Sequence, residues 1–128
     1  MKNLLMLLIS LFAVSGVRSQ DNESEYTMKE YYFVFLKTGP NNTPDTAVIN
    51  KAFSGHMANM MVMADAGKLK LAGPFLDKGD LRGIFIIDAA SEDEVNELLT
   101  HDPAIANGFL TAEIKKWYGP AGLKVDKK

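Results

Sequence analysis

One segment limits the folds open to this chain more than any other: Tyr31-Tyr32-Phe33-Val34-Phe35-Leu36-Lys37. It is rich in aromatic and β-branched residues and has the length of a strand. Successive side chains of a strand point to opposite faces of its sheet, and here both sets are apolar. A strand buried on two faces needs a layer on each side of the sheet. In so short a chain, the second layer points to another subunit.

The rest of the chain supplies partners for that strand. Gly39-Pro40-Asn41-Asn42 is a turn cluster. Thr43 can cap a following helix, with Pro44 at its first position and Asp45 in its first turn. Ile49, Phe53, His56, Met60 and Met63 recur at three- and four-residue intervals and draw one inward stripe. Met57, Met60, Met61 and Met63 read as core at that spacing. Gly67 is a fitting stop. Leu69 to Phe75 reads as a second strand. After the polar turn Leu76–Asp80 comes its hairpin partner, Gly83 to Asp88. Ser91-Glu92-Asp93-Glu94 is a capping box for a second helix that turns Val95, Leu98 and Leu99 inward and ends near His101. Asp102-Pro103-Ala104 starts a short helical turn that stops at Asn107-Gly108. Phe109 to Trp117 is a fourth strand.

The order strand, helix, strand, strand, helix, strand predicts an α+β fold, the ferredoxin-like βαββαβ sandwich with both helices on one face of an antiparallel sheet. The other face is then a bare apolar surface, which marks an interface. Two such sheets face to face would make a dimeric α+β barrel, so a homodimer through the open sheet face is expected.

The N-terminus lies outside this pattern. Lys2 precedes an apolar run from Leu4 to Val14 that is short for a membrane span. Val17-Arg18-Ser19 offers small residues where a signal peptidase reads, so residues 1–19 are read as a signal peptide cut before Gln20. The expected product is exported, periplasmic or secreted, with no stable membrane anchor once the leader is cut. Residues 20–29 are polar and acidic and read as a flexible tether, residues 30–120 as the folded domain and 121–128 as a flexible tail. Losing Lys2 and Arg18 leaves 12 basic against 16 acidic residues, a net charge of −4. That balance argues against a nucleic-acid partner. Cysteine is absent, which excludes thiol catalysis, thiolate metal sites and disulfides.

The residues that can carry chemistry are few. His56 lies on the inward stripe, and imidazole titrates near neutral pH without help. It can be a core histidine bonded to backbone, or a general acid or base poised by a carboxylate. Asp102 can merely cap the turn that begins at Pro103, or it can orient the imidazole and stabilise its charged form. Its two oxygens allow both. His101 reads as a helix-end surface residue, and Asp77 and Asp80 as turn formers. Ser54 precedes His56 by two, so on a helix the two side chains diverge by about 200°, which disfavours a serine–histidine pair. Two histidines and a run of methionines make a poor metal site. The glycines show no phosphate-binding spacing, so neither a metal nor a cofactor is expected.

Taken in order, several stretches resemble the YciI-like (YCII-related) family. They are Gly55-His56-Met57-Ala58, Ala66 to Leu69, Leu71-Ala72-Gly73-Pro74-Phe75-Leu76-Asp77, Leu81 to Phe85, Ser91 to Glu94, Asp102-Pro103-Ala104, and Glu113-Ile114 with Trp117-Tyr118-Gly119-Pro120. The resemblance spans roughly residues 30–122. It implies a ferredoxin-like subunit paired as a dimeric α+β barrel, and a histidine–aspartate dyad that carries over to His56 and Asp102. Where many relatives have an arginine three residues before the histidine, this chain has Phe53. The export leader is unusual for the family.

Residues and resemblance together lead to a cofactor-free acid–base enzyme, lyase- or isomerase-like, acting on a small, partly apolar or aromatic compound. The competing expectation is a non-catalytic exported dimeric module that binds a small ligand or a protein partner. Contact between His56 and Asp102 beside an accessible cavity favours the enzyme. A sealed histidine bonded to backbone favours the module.

Overall fold

Strand β1 (Met28–Thr38) runs through the interior of a four-stranded sheet, where its alternating side chains serve both faces. The computed structural model describes residues 26–124. After β1 come α1 (Thr46–Asp65), β2 (Leu69–Pro74), β3 (Leu81–Ile87), α2 (Glu92–Thr100), the short α3 (Pro103–Ala106) and β4 (Leu110–Pro120). The strand order is β2-β3-β1-β4, and every neighbouring pair is antiparallel. This is the α+β arrangement predicted from the order of elements, with the Asp102-Pro103 turn forming a third, one-turn helix. The leader read over residues 1–19 lies outside the described residues, as do most of the tether and residues 125–128 of the tail. Met28 and Lys29, assigned to the tether, instead pair with Pro120 and Gly119, so both strands run further than their apolar runs suggest.

The core lies between the sheet and the helices. Tyr32, Val34 and Leu36 of β1 and Phe85 and Ile87 of β3 meet Ala52 and Met63 of α1 and Val95 and Leu99 of α2. Each such large side chain taken out of water contributes on the order of 1.5–3 kcal/mol. On the far face Phe33 stacks on Phe35 with ring centroids 4.8 Å apart and meets Trp117 edge-on at 5.9 Å. Ile84 and Ile86 lie opposite Phe35 and Phe33 across the β1–β3 register. No described element covers this face. Tyr31 is nonetheless buried there, with Trp117 alongside and its hydroxyl donating to the Pro120 carbonyl at 3.0 Å.

Two local expectations need correction. Asp45, not Thr43, caps α1: its carboxylate accepts from the Ala47 and Val48 N–H groups. A carboxylate both bonds the free N–H groups and complements the positive end of the helix, so Thr43 and Pro44 stay in the turn before it. The four methionines are also not uniformly core. Met63 is buried and Met60 partly so, but Met57 and Met61 are exposed. Each follows an inward residue by one position, a rotation of about 100° around the helix. The capping box at α2 forms with a one-residue offset. Ser91 Oγ accepts from Glu94 N–H, while Glu94 Oε2 reaches back to the Ala90 N–H.

Candidate active site

His56 sits in the middle of α1 on its buried side, and Asp102 is the N-cap of α3. They lie 46 residues apart in sequence, yet His56 Nδ1 and Asp102 Oδ2 are 2.6 Å apart. Asp102 is fully buried and His56 nearly so. The carboxylate divides its work between its oxygens. Oδ1 accepts the Ala104 N–H at 2.9 Å and the Ile105 N–H at 3.4 Å, while Oδ2 takes the imidazole. Capping and histidine orientation therefore coexist on one side chain.

The close approach of α3 to α1 depends on Gly55. A Cβ at that position would run into the Pro103 ring. A mid-helix glycine costs about 1 kcal/mol relative to alanine, and here it lets Pro103 lie against the α1 backbone directly beside His56. Asn59, one turn further along, is buried as well, and its amide donates to the Leu98 carbonyl at 3.4 Å. It ties α1 to α2.

The imidazole is held between two rings. Phe85 lies nearly parallel to it, with centroids 5.8 Å apart, and Phe53 meets it edge-on at 5.9 Å. With both Asp102 oxygens acting as acceptors, Nδ1 must be the donor of the His–Asp bond, which sets the tautomer. Nε2 has no protein partner among the described residues, and no buried side-chain polar atom is left without one. Nε2 therefore reaches accessible space. His56 borders a cavity of about 360 Å³ between α1 and the β2–β3 hairpin, walled mainly by Leu36, Phe53, Met60, Ala72 and Phe85, with Arg82 also contributing. The hollow beside Lys29 and Lys68 is larger, at about 570 Å³. Its charged groups are already engaged, Lys29 with Asp88 and Lys68 with Glu94, so it offers no free reactive atom of the kind Nε2 provides.

Of the residues singled out in the sequence, His56 and Asp102 are brought together. His101 is the exposed C-cap of α2, and Ser54, Asp77 and Asp80 are exposed and border no part of this cavity. Among the described residues no cluster of three or more His, Asp or Glu side chains is placed to hold a metal ion. Gly55, Asn59, Arg82 and Phe85 were missed. Gly55 and Asn59 are the ones that left a trace, as a glycine and an amide inside an otherwise regular helix.

Comparison with known proteins places this architecture. The family model described as the YCII-related domain matches residues 31–118, well over half of the chain. Among solved structures, the chain is similar to the 5-chloro-2-hydroxyhydroquinone dehydrochlorinase of Burkholderia phenoliruptrix in complex with 2,5-dihydroxybenzoquinone. The identity is 23%, the TM-score 0.52, and the match covers 68% of this chain and 92% of that one. At that identity the likeness is one of fold. A comparison with curated proteins gives no match.

Proposed function

The chain belongs to the YCII-related domain family, and from that premise we propose that it is a cofactor-free acid–base enzyme, lyase- or isomerase-like, acting on a small, partly apolar or aromatic compound. One observation carries the reading: a histidine tied through Nδ1 to a buried carboxylate leaves Nε2 free beside an apolar cavity. In this reading Nε2 takes a proton from an acidic C–H or O–H of the bound compound. The imidazolium that forms is stabilised by Asp102, and the same nitrogen returns the proton elsewhere on the product or loses it to water. A positioned proton carrier of this kind contributes about 10²–10⁴-fold to a rate. The apolar, ring-lined wall suits an aromatic or quinonoid compound, and the dehydrochlorinase of similar fold was solved with 2,5-dihydroxybenzoquinone bound.

The reading includes a homodimer joined through the Phe33–Phe35–Trp117 face, supported by the partly exposed apolar side chains Phe33, Phe35, Ile84 and Trp117 on it, and export, supported by the leader-like residues 1–19. The competing module would suit a histidine bonded to backbone and sealed from solvent. The carboxylate partner and the adjoining cavity favour the enzyme.

The test is a panel of substituted phenols, hydroquinones and hydroxyquinones incubated with the protein in D₂O. Mass spectrometry would follow deuterium uptake at carbon and any loss of a leaving group. The expected result is catalysis on at least one compound that falls to background in His56→Gln. Catalysis that survives His56→Gln refutes the dyad. Compounds that bind without any turnover across the panel establish the non-catalytic module instead.

A further inference from the structure

The β1–β3 ladder is broken at one point. Leu36 pairs with Gly83 and Lys37 with Leu81, so Arg82 has no residue opposite it. An extra residue of this kind is a bulge, and bulges re-aim side chains away from the regular alternation, often beside functional sites. The consequence here is visible in what Arg82 borders. It contributes to the His56 cavity and also to a neighbouring hollow of about 330 Å³ that includes Ile49 and Phe109. Phe53 and Leu110 line both spaces as well. Both spaces lie on the helix side of the sheet, so the bulge brings Arg82 to the side where His56 is.

Its charge is uncommitted. Arg82 takes part in no ion pair and no side-chain hydrogen bond among the described residues. Within the cavity wall, His56 and Arg82 are the two side chains with polar heads, and the others are apolar. Guanidinium is always charged and presents a planar fork of donors that matches a carboxylate or a pair of ring oxygens.

We propose that Arg82 is the anion-binding element of the His56 cavity, and that the natural ligand is a small, flat, largely apolar compound with one anionic oxygen substituent, a carboxylate or a phenolate. This rests on the cavity being the ligand site, and it deepens that reading by naming the substrate class. Arg82 anchors the anion while the apolar wall takes the ring, which leaves the acidic position of the ligand to His56. Because Arg82 is exposed, the attraction is screened by salt.

Benzoate and benzamide, of the same shape but different charge, test this by chemical-shift titration of the backbone amides of β2 and β3. Benzoate is expected to bind about tenfold more tightly than benzamide, the size of one charge-assisted contact. Arg82→Gln is expected to erase that difference while leaving benzamide unchanged, and raising salt to about 0.5 M should weaken benzoate alone. Arg82→Lys should keep part of the preference. Equal binding of the two probes, equal loss of both in Arg82→Gln, or binding of neither at millimolar concentration overturns the proposal. His56→Gln separates the two readings. It should abolish turnover and leave the benzoate preference intact, so failure of the dyad and failure of the anion site are read on different variants.

Discussion

Asp102 does two jobs, and two substitutions pull them apart. The fully buried carboxylate accepts from His56 Nδ1 at 2.6 Å, from Ala104 N–H at 2.9 Å and from Ile105 N–H at 3.4 Å. Asp102→Ala removes all three bonds. Losing the cap costs about 1 kcal/mol, and stranding the buried imidazole N–H costs about 1–3 kcal/mol more. The sum, on the order of 2–4 kcal/mol, corresponds to a melting point lower by about 10–30 °C in a domain of this size. Asp102→Asn is different in kind. Its amide oxygen can still accept from Ala104 and Ile105, so the cap survives. Its NH₂ group then faces Nδ1, and two donors cannot bond. The imidazole responds by moving its proton to Nε2, which makes Nδ1 an acceptor and removes the lone pair that faces the cavity. Stability should fall by only about 1 kcal/mol, whereas turnover should fall by about 10²–10⁴-fold. Thermal unfolding gives the first quantity. Long-range ¹H–¹⁵N spectra of the imidazole report the tautomer directly. An Asn variant that unfolds as readily as the Ala variant refutes the division of labour between the two oxygens. An unchanged tautomer in Asn refutes the chemistry.

Three further outcomes follow from other parts of the fold. Gly55→Ala should destabilise by about 1–2 kcal/mol, because overpacking against Pro103 outweighs the roughly 1 kcal/mol gain in helix propensity; a higher melting point would show that α3 can move away at no cost. The Glu94 carboxyl is held below its ordinary value near 4.5, chiefly by Lys68 and then by the Ala90 N–H. Its contribution is complete above that value and fades as pH falls through the lower folded value, so amide exchange at the start of α2 should accelerate only under acid conditions, and Glu94→Gln should flatten that dependence. Phe35→Asp should turn a sedimenting dimer into a folded monomer, and a wild-type protein that sediments as a monomer refutes the barrel.

Much of the fold was legible because local and global preferences agree over most of the chain. The two-faced apolar strand became β1, the apolar helical stripe became the buried side of α1, and Ser91 with Glu94 marked the start of α2. Errors arose where the signal was one of competition between neighbours. Thr43 and Asp45 can both cap a helix, and the carboxylate prevailed. Met57 and Met61 share a residue type with Met60 and Met63 but not a direction, and direction is set by the helix rotation. The bulge at Arg82 has no local signature, since it arises from a mismatch in pairing between two strands that are more than forty residues apart.

The candidate site shows why chemistry was harder to read than topology. Histidine on an apolar stripe and aspartate before proline each have a common structural explanation, and periodicity alone cannot decide how two helices cross. What decides it is Gly55, whose missing side chain lets Pro103 pack against α1. As a helix residue it is a poor choice, and as a spacer between α1 and α3 it is the choice that puts Asp102 within 2.6 Å of His56. A local rule broken without local reason is where a fold yields stability to a site. Gly55 marks the dyad more specifically than either of its members. The same logic separates the two halves of the site. The dyad is built from helix ends and helix packing, while Arg82 comes from a fault in the sheet. In the proposed reading the two halves are therefore free to vary independently, with proton transfer assigned to the helices and ligand choice to the β2–β3 hairpin.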